Sequence, residues 1–220
     1  MRTLTIGLIS MISGSKFSLR LVKPLFFSGL LLLGLVSTAS FADEAEINSS
    51  AWTIHALMHS LAQVKESKAT FVERKYLSIL NTPLEYSGTL NYQSPGHLEK
   101  HTLQPKPESM VLDQDKLVVQ SGVAKRKRSL TLQDYPVVWA FVESFRATLA
   151  GDMAALNRFY SVTMEGHSTQ WLLILRPIDL KMKNMINEIR ITGNMAQINT
   201  IETREAGGDY SVMSISPDKS

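Results

Sequence analysis

Phe71-Val-Glu-Arg-Lys75, Pro83-Leu-Glu-Tyr-Ser-Gly-Thr-Leu-Asn-Tyr92, Ser94-Pro-Gly-His-Leu-Glu-Lys100 and Leu112-Asp-Gln-Asp-Lys-Leu-Val-Val119 follow one another in a single stretch of the chain. Their side chains alternate in character at every second position, the period of strands that bury one face. Phe71, Glu73 and Lys75 alternate with Val72, Arg74 and Tyr76, while Tyr86, Gly88, Leu90 and Tyr92 share a face. The turn signals Asn81-Thr-Pro83 and Ser94-Pro-Gly96 bracket the second strand, and connections this short make antiparallel hairpins. The meander is expected to continue through 98–103, 109–112, 116–120 and 127–132, with Asp113-Gln-Asp115 as a turn.

Ahead of this stretch the chain changes character. Arg2, Lys16, Arg20 and Lys23 flank an apolar core from Leu25 to Val36, followed by Ser40-Phe-Ala42 and then Asp43-Glu44. A basic region, a short apolar core and a small-x-small site make a secretory signal peptide, so residues 1–42 are expected to be cleaved. The core is shorter than the roughly 20 apolar residues of a membrane span. Removing those four basic residues from the 23 leaves 19 against all 20 acidic residues, a net charge of −1. The basic pI therefore belongs to the leader, and no nucleic-acid partner is expected, because such domains carry a strong positive excess. There is no cysteine, hence no disulfide, no thiolate metal site and no lipid-modifiable residue at the new N-terminus. Residues 43–220 suit one unanchored domain with a core of its own.

On the near side of the strands, a helix is expected to open at Ser49 or Ser50. Ile54, Leu57, Met58, Leu61 and Lys65 would form its covered side, and His55, His59, Gln63 and Glu66 its wet side. Beyond Pro136 the period returns to that of a helix: Val138, Phe141, Val142, Phe145 and Leu149 form a stripe, with Glu143 and Arg146 on the polar side and Trp139 off the stripe. Gly151 ends it and Asp152 caps a short helix through Leu156. Strands are expected again at 159–164, 170–176, 186–192 and 197–204, with Gly193-Asn194 as a turn. A last strand at 210–215 is placed at the sheet edge. Trp171, Leu173 and Leu175 alternate with Leu172 and Ile174, so that strand is apolar on both faces and is either covered twice or lines a cavity.

Chemistry-bearing motifs are sparse. His55 and His59 lack the intervening Glu of the zinc protease pattern, and Asp113 with Asp115 lacks the later ligands of a calcium loop. There is no Gly-x-Ser-x-Gly elbow and no thiol nucleophile, so neither an enzyme nor a cofactor is expected. Lys125-Arg-Lys-Arg128 is the one dense charge run. It reads as a solvated hairpin or as a rim contact for an acidic partner or a phosphate-bearing headgroup.

Together with the opening stretch, Leu149-Ala-Gly-Asp152 with Leu156 and Phe159, Trp171-Leu-Leu-Ile-Leu-Arg-Pro177, Ile189-Arg-Ile-Thr-Gly193 and Gly207-Gly-Asp-Tyr-Ser-Val-Met213 carry a resemblance. Their order is similar to a subgroup of the LolA-like family of periplasmic outer-membrane lipoprotein carriers. The resemblance implies an α+β fold, a half-open curved antiparallel barrel of about eleven strands with helices over its concave apolar face. It implies a soluble, monomeric periplasmic carrier of acyl chains, with an inner-membrane exporter as donor and an outer-membrane acceptor. Phe71, Leu90, Tyr92, Leu98, Leu117, Val119, Trp139, Phe141, Phe145, Trp171, Leu173 and Leu175 are the expected cavity and lid residues. Lipoprotein carriers of this family place an Arg inside the cavity, where it holds the lid closed. Glu99 aligns with that Arg and cannot donate the same hydrogen bonds. The cargo is therefore a lipoprotein or another acylated or glycolipid-like molecule. The competing expectation is a periplasmic sensor or adaptor that binds a lipid or an inner-membrane protein with the same barrel.

Overall fold

The computed structural model describes residues 52–121 and 126–218. The segment 1–42 expected to be a cleaved signal peptide, the helix caps expected at Ser49 and Ser50, and Lys125 lie outside the described residues.

Eleven antiparallel strands form one sheet, in the order β6-β5-β4-β3-β2-β1-β11-β10-β9-β8-β7. They are β1 (Glu66–Tyr76), β2 (Leu84–Gln93), β3 (His97–Gln104), β4 (Glu108–Asp113), β5 (Lys116–Ser121), β6 (Arg126–Thr131), β7 (Tyr160–His167), β8 (Gln170–Pro177), β9 (Ile186–Asn194), β10 (Gln197–Glu205) and β11 (Tyr210–Pro217). The sheet is curved and does not close, because β6 and β7 are its free edges. The last strand is not at an edge as the sequence suggested. β11 pairs with β1 from Ala69↔Pro217 to Tyr76↔Tyr210 and with β10 on its other side, joining the two meanders. Gly193 and Asn194 belong to β9, and the turn lies one step later, where Met195 takes φ +49°.

Among the described residues, four helices lie with the sheet: α1 (Ile54–Ala62), α2 (Pro136–Ala150), α3 (Met153–Asn157) and the short α4 (Leu180–Lys183). Thr53 caps α1, its Oγ1 accepting from the Ala56 amide at 3.2 Å. Lys65 and Glu66 fall beyond the helix, which stops as the chain turns into β1. Pro136 occupies the first turn of α2, where its missing N–H costs nothing. Gly151 ends α2 at φ +65°, and a Cβ there would sit 2.1 Å from the Met58 carbonyl oxygen, so glycine is what lets α1 and α2 approach.

Two clusters of buried side chains result. The larger packs Leu57 and Leu61 of α1, Phe141 of α2 and Leu156 of α3 against Trp171, Leu173 and Leu175 of β8 and Ile189 and Ile191 of β9. The smaller joins Leu112, Leu117 and Val119 to Val138 and Val142 of α2. Glu143 is not on a wet face as its helical position suggested. It is 5 % exposed and accepts two hydrogen bonds from the Arg146 guanidinium.

Candidate functional site: an apolar cavity under helix α2

Strand alternation sends one set of side chains to the concave face. Cross-strand pairing places Leu90 opposite Ala69, Tyr92 opposite Leu98, Leu98 opposite Leu112, and Ile201 opposite Met213. Between this face and the helices lies a cavity of about 240 Å³. Phe141, Val142, Phe145 and Leu149 of α2 border it from the helix side, with Leu61 of α1 and Val64 of the segment that follows. The Phe141 and Phe145 rings meet edge to face at 5.0 Å. Leu90, Tyr92, Leu98, Met110, Leu112 and Leu117 form one wall, and Ile191, Ile198, Ile201, Met213 and Ile215 the other.

Of the residues expected from the sequence, Leu90, Tyr92, Leu98, Leu117, Phe141 and Phe145 come together around this space. The others stand elsewhere. Trp171, Leu173 and Leu175 are at most 1 % exposed within the larger cluster, where the Trp171 indole N–H donates to the Met195 carbonyl at 2.9 Å. Val119 is in the smaller cluster. Phe71 is buried with its ring 4.9 Å from the Lys100 ammonium. Trp139 is half-buried, edge-on to Phe159 at 5.4 Å. Met213, Ile215, Ile201 and Ile198 were missed, although the alternation Ser211, Met213, Ile215 in β11 carried the same signal as β2.

The polar part of the site lies at one end of the concave face. Glu73 is 3 % exposed and accepts a hydrogen bond from Lys100 Nζ at 2.6 Å, with Lys75 Nζ 3.7 Å from its other oxygen. Lys75 is itself buried, and burial lowers its pKa despite the attraction of Glu73. Burial raises that of Glu108 against the pull of Lys100 and Lys75. Lys75 also lies 5.0 Å from the Tyr86 ring, whose hydroxyl burial pushes upward. Two cations and two carboxylates thus hold one another at the polar end of the concave face, where buried Thr203 and Ser211 also line the cavity.

Glu99 borders the cavity, but its carboxylate engages the outer face of β3. It accepts from His101 Nε2 at 2.8 Å, His97 Nε2 at 2.9 Å and Asn91 Nδ2 at 3.1 Å. The hydrogen bond from His101, then those from His97 and Asn91, pull its pKa from 4.5 to about 2. The residue that alternation turns inward is its neighbour Lys100. A cation therefore does stand on the concave face, held by Glu73 rather than free to reach α2. Tyr92 Oη is buried without a hydrogen-bond partner. Among the described residues no group of three or more His, Asp or Glu side chains is arranged to hold a metal ion. No described helix is long and apolar enough to cross a membrane.

The family model for outer membrane lipoprotein carrier protein LolA-like chains matches residues 47–215. The chain belongs to the LolA-like family. No curated protein matches it significantly. Among solved structures it is similar to a LolA superfamily protein from Nitrosomonas europaea, at 12 % identity and TM-score 0.41, over 76 % of this chain and 92 % of that one. It is also similar to a chain of the MucA/MucB complex of Pseudomonas aeruginosa, at 14 % identity and TM-score 0.41, over 74 % of this chain and 55 % of that one. A third is LprF from Mycobacterium bovis, at 9 % identity and TM-score 0.31, over 74 % of this chain and 91 % of that one.

Proposed function

We propose that this LolA-like protein is a periplasmic carrier that takes the acyl chains of a lipoprotein or another lipidated molecule into the cavity and shuttles it toward the outer membrane. The observation that carries the reading is the cavity: Leu90, Leu98, Leu117, Met213 and Phe145 surround open space where a folded core closes up. An acyl chain gains about 0.8 kcal/mol for each CH₂ moved from water to such a lining, so retention requires no covalent step. Membership of a lipoprotein carrier family supports the same role. Residues 1–42 then serve as the cleaved export signal and 43–220 as the lipid-binding domain. An inner-membrane exporter is the donor, and an outer-membrane component the acceptor.

Helix α2 is the lid in this account. Its Phe141 and Phe145 face the cavity, while its one buried ion pair, Glu143 with Arg146, is internal to the helix. With Lys100 engaged by Glu73, closure rests on apolar contact, and a chain entering the cavity competes for that contact directly. The test is displacement of a fluorescent apolar probe by a palmitoylated lipopeptide. The wild type is expected to release the probe with one-to-one stoichiometry, and Phe145→Glu to take up neither molecule while keeping its circular dichroism. A wild-type protein that binds neither the probe nor the lipopeptide overturns the reading.

A further inference from the structure

The apolar side chains that stay in water are not scattered. Of the nine large exposed ones among the described residues, only Val72 and Met195 lie away from one rim of the sheet. Ile79 and Leu80 belong to the β1–β2 connection, Leu84 opens β2, and Ile178 and Leu180 belong to the segment between β8 and β9. Tyr210 opens β11, and Leu103 is at the end of β3. Antiparallel order puts all these connections at the same end, where Tyr76 pairs with Tyr210. Hydrogen bonds tie them into one surface. The Ser78 amide donates to Asp209 Oδ1 at 2.7 Å, the Ala206 amide to the Met185 carbonyl at 3.0 Å, and the Ile178 amide to the Phe159 carbonyl at 3.0 Å. Ile79 and Leu180, the most exposed, keep 76 % and 74 % of their surface in water.

Exposed cations outnumber exposed carboxylates on this rim. Lys106, Arg158, Lys181 and Lys183 are exposed there, with Lys127 and Arg128 of the edge strand β6 toward the same end. The carboxylates are engaged within the protein. Glu85 pairs with Arg74 at 2.9 Å, Asp179 accepts the Lys181 and Met182 amides, and Asp209 holds the Ser78 amide. The Arg158 guanidinium lies 5.4 Å from both the Trp139 and Phe159 rings. Tyr76 and Tyr210 stack at 4.4 Å. Aliphatic tips, aromatic rings with polar ends and surrounding lysines are the composition of a surface that settles into a lipid headgroup layer.

We propose that this rim docks on an anionic lipid bilayer, with Ile79, Leu80 and Leu180 entering the headgroup region and the lysines facing lipid phosphates. The polar end of the cavity lies on the same side, since Glu73 is three residues before Tyr76 and Ser211 follows Tyr210. Docking would bring that end of the concave face to the bilayer. The inference goes beyond the carrier reading, and each fails separately.

The experiment is co-sedimentation of the folded chain with vesicles of phosphatidylcholine alone and of phosphatidylcholine with phosphatidylglycerol. Wild type is expected on the anionic vesicles, less so as salt rises. Ile79→Asp with Leu180→Asp is expected to lower partitioning at least about tenfold, because burying one aliphatic side chain is worth about that factor or more. Lys181→Glu with Lys183→Glu is expected to erase the preference for the anionic lipid. Should the aspartate pair fail to fold, serines at the same two positions replace it. All variants are expected to keep probe uptake, which tests the cavity separately. No wild-type binding to anionic vesicles at low salt, or equal binding by the aspartate pair, overturns the proposal. So does capture only by vesicles that carry a membrane protein.

Discussion

Lys100→Met isolates the charge cluster on the concave face. Glu73 has a side chain 4 % exposed and Lys100 one 18 % exposed, with 2.6 Å between their charged atoms. At an effective dielectric of about 20, opposite unit charges at that separation attract by about 6 kcal/mol, and desolvation of both groups takes back much of it. Removing the lysine leaves the desolvation of Glu73 in place while its nearest remaining cation, Lys75, stands 3.7 Å away. Breaking a buried pair costs about 3–5 kcal/mol. With Lys75 still present, the expected loss is about 2–4 kcal/mol, enough to lower the urea midpoint by about 1 M or more. The assay is equilibrium urea unfolding of wild type, Lys100→Met, Glu73→Gln and the double variant. The double variant is expected to be clearly more stable than the sum of the two single losses, because the uncompensated charge is gone. A Lys100→Met protein within about 0.5 kcal/mol of wild type, or strictly additive losses, would mean that Lys100 does not compensate a buried Glu73 charge.

Gly88→Ala is expected to destabilise by about 1–3 kcal/mol or more in the same assay, because its Cβ would lie 1.9 Å from the His101 carbonyl oxygen in the β2–β3 pairing. Glu99 has its folded pKa depressed to about 2, so its contribution is present above pH 4.5 and is lost as pH falls toward 2. Glu99→Gln should therefore flatten the acid limb of the stability–pH curve in that window, and an unchanged limb would count against the His101 and His97 hydrogen bonds as its cause. Tyr92→Phe removes a buried hydroxyl that has no hydrogen-bond partner, so it is expected to be neutral or to raise stability by up to about 1 kcal/mol. Thermal unfolding measures this, and a large loss would mean the hydroxyl is hydrogen-bonded in solution.

Strands were legible because period-two alternation and the turns at Asn81–Pro83 and Ser94–Gly96 are local signals. Most predicted strands fall within a few residues of those observed. What was not local was lost. The place of β11 beside β1 depends on partners more than a hundred residues apart, as Phe71↔Ile215 illustrates. The distinction between cavity and core was also beyond the sequence, since Leu98 beside the opening and Leu173 in the sealed cluster obey the same alternation. Glu73 and Lys75 shared the face of Phe71 in the pattern, which was the available sign of a buried charge cluster. Glu143 reads as polar from its helical position and is buried because Arg146, three residues on, satisfies it. The one-residue step between Glu99 and Lys100 decides which of them faces the lid, and only the cross-strand register settles such a step.

Native mass spectrometry with lipid extraction, on protein released gently from the periplasm, tests the carrier account most directly. The account predicts a co-purifying acylated species bound one to one, lost from the Phe145→Glu variant. Protein that is uniformly free of lipid across preparations, including those from cells that accumulate envelope lipids, would contradict it and favour a sensor or adaptor.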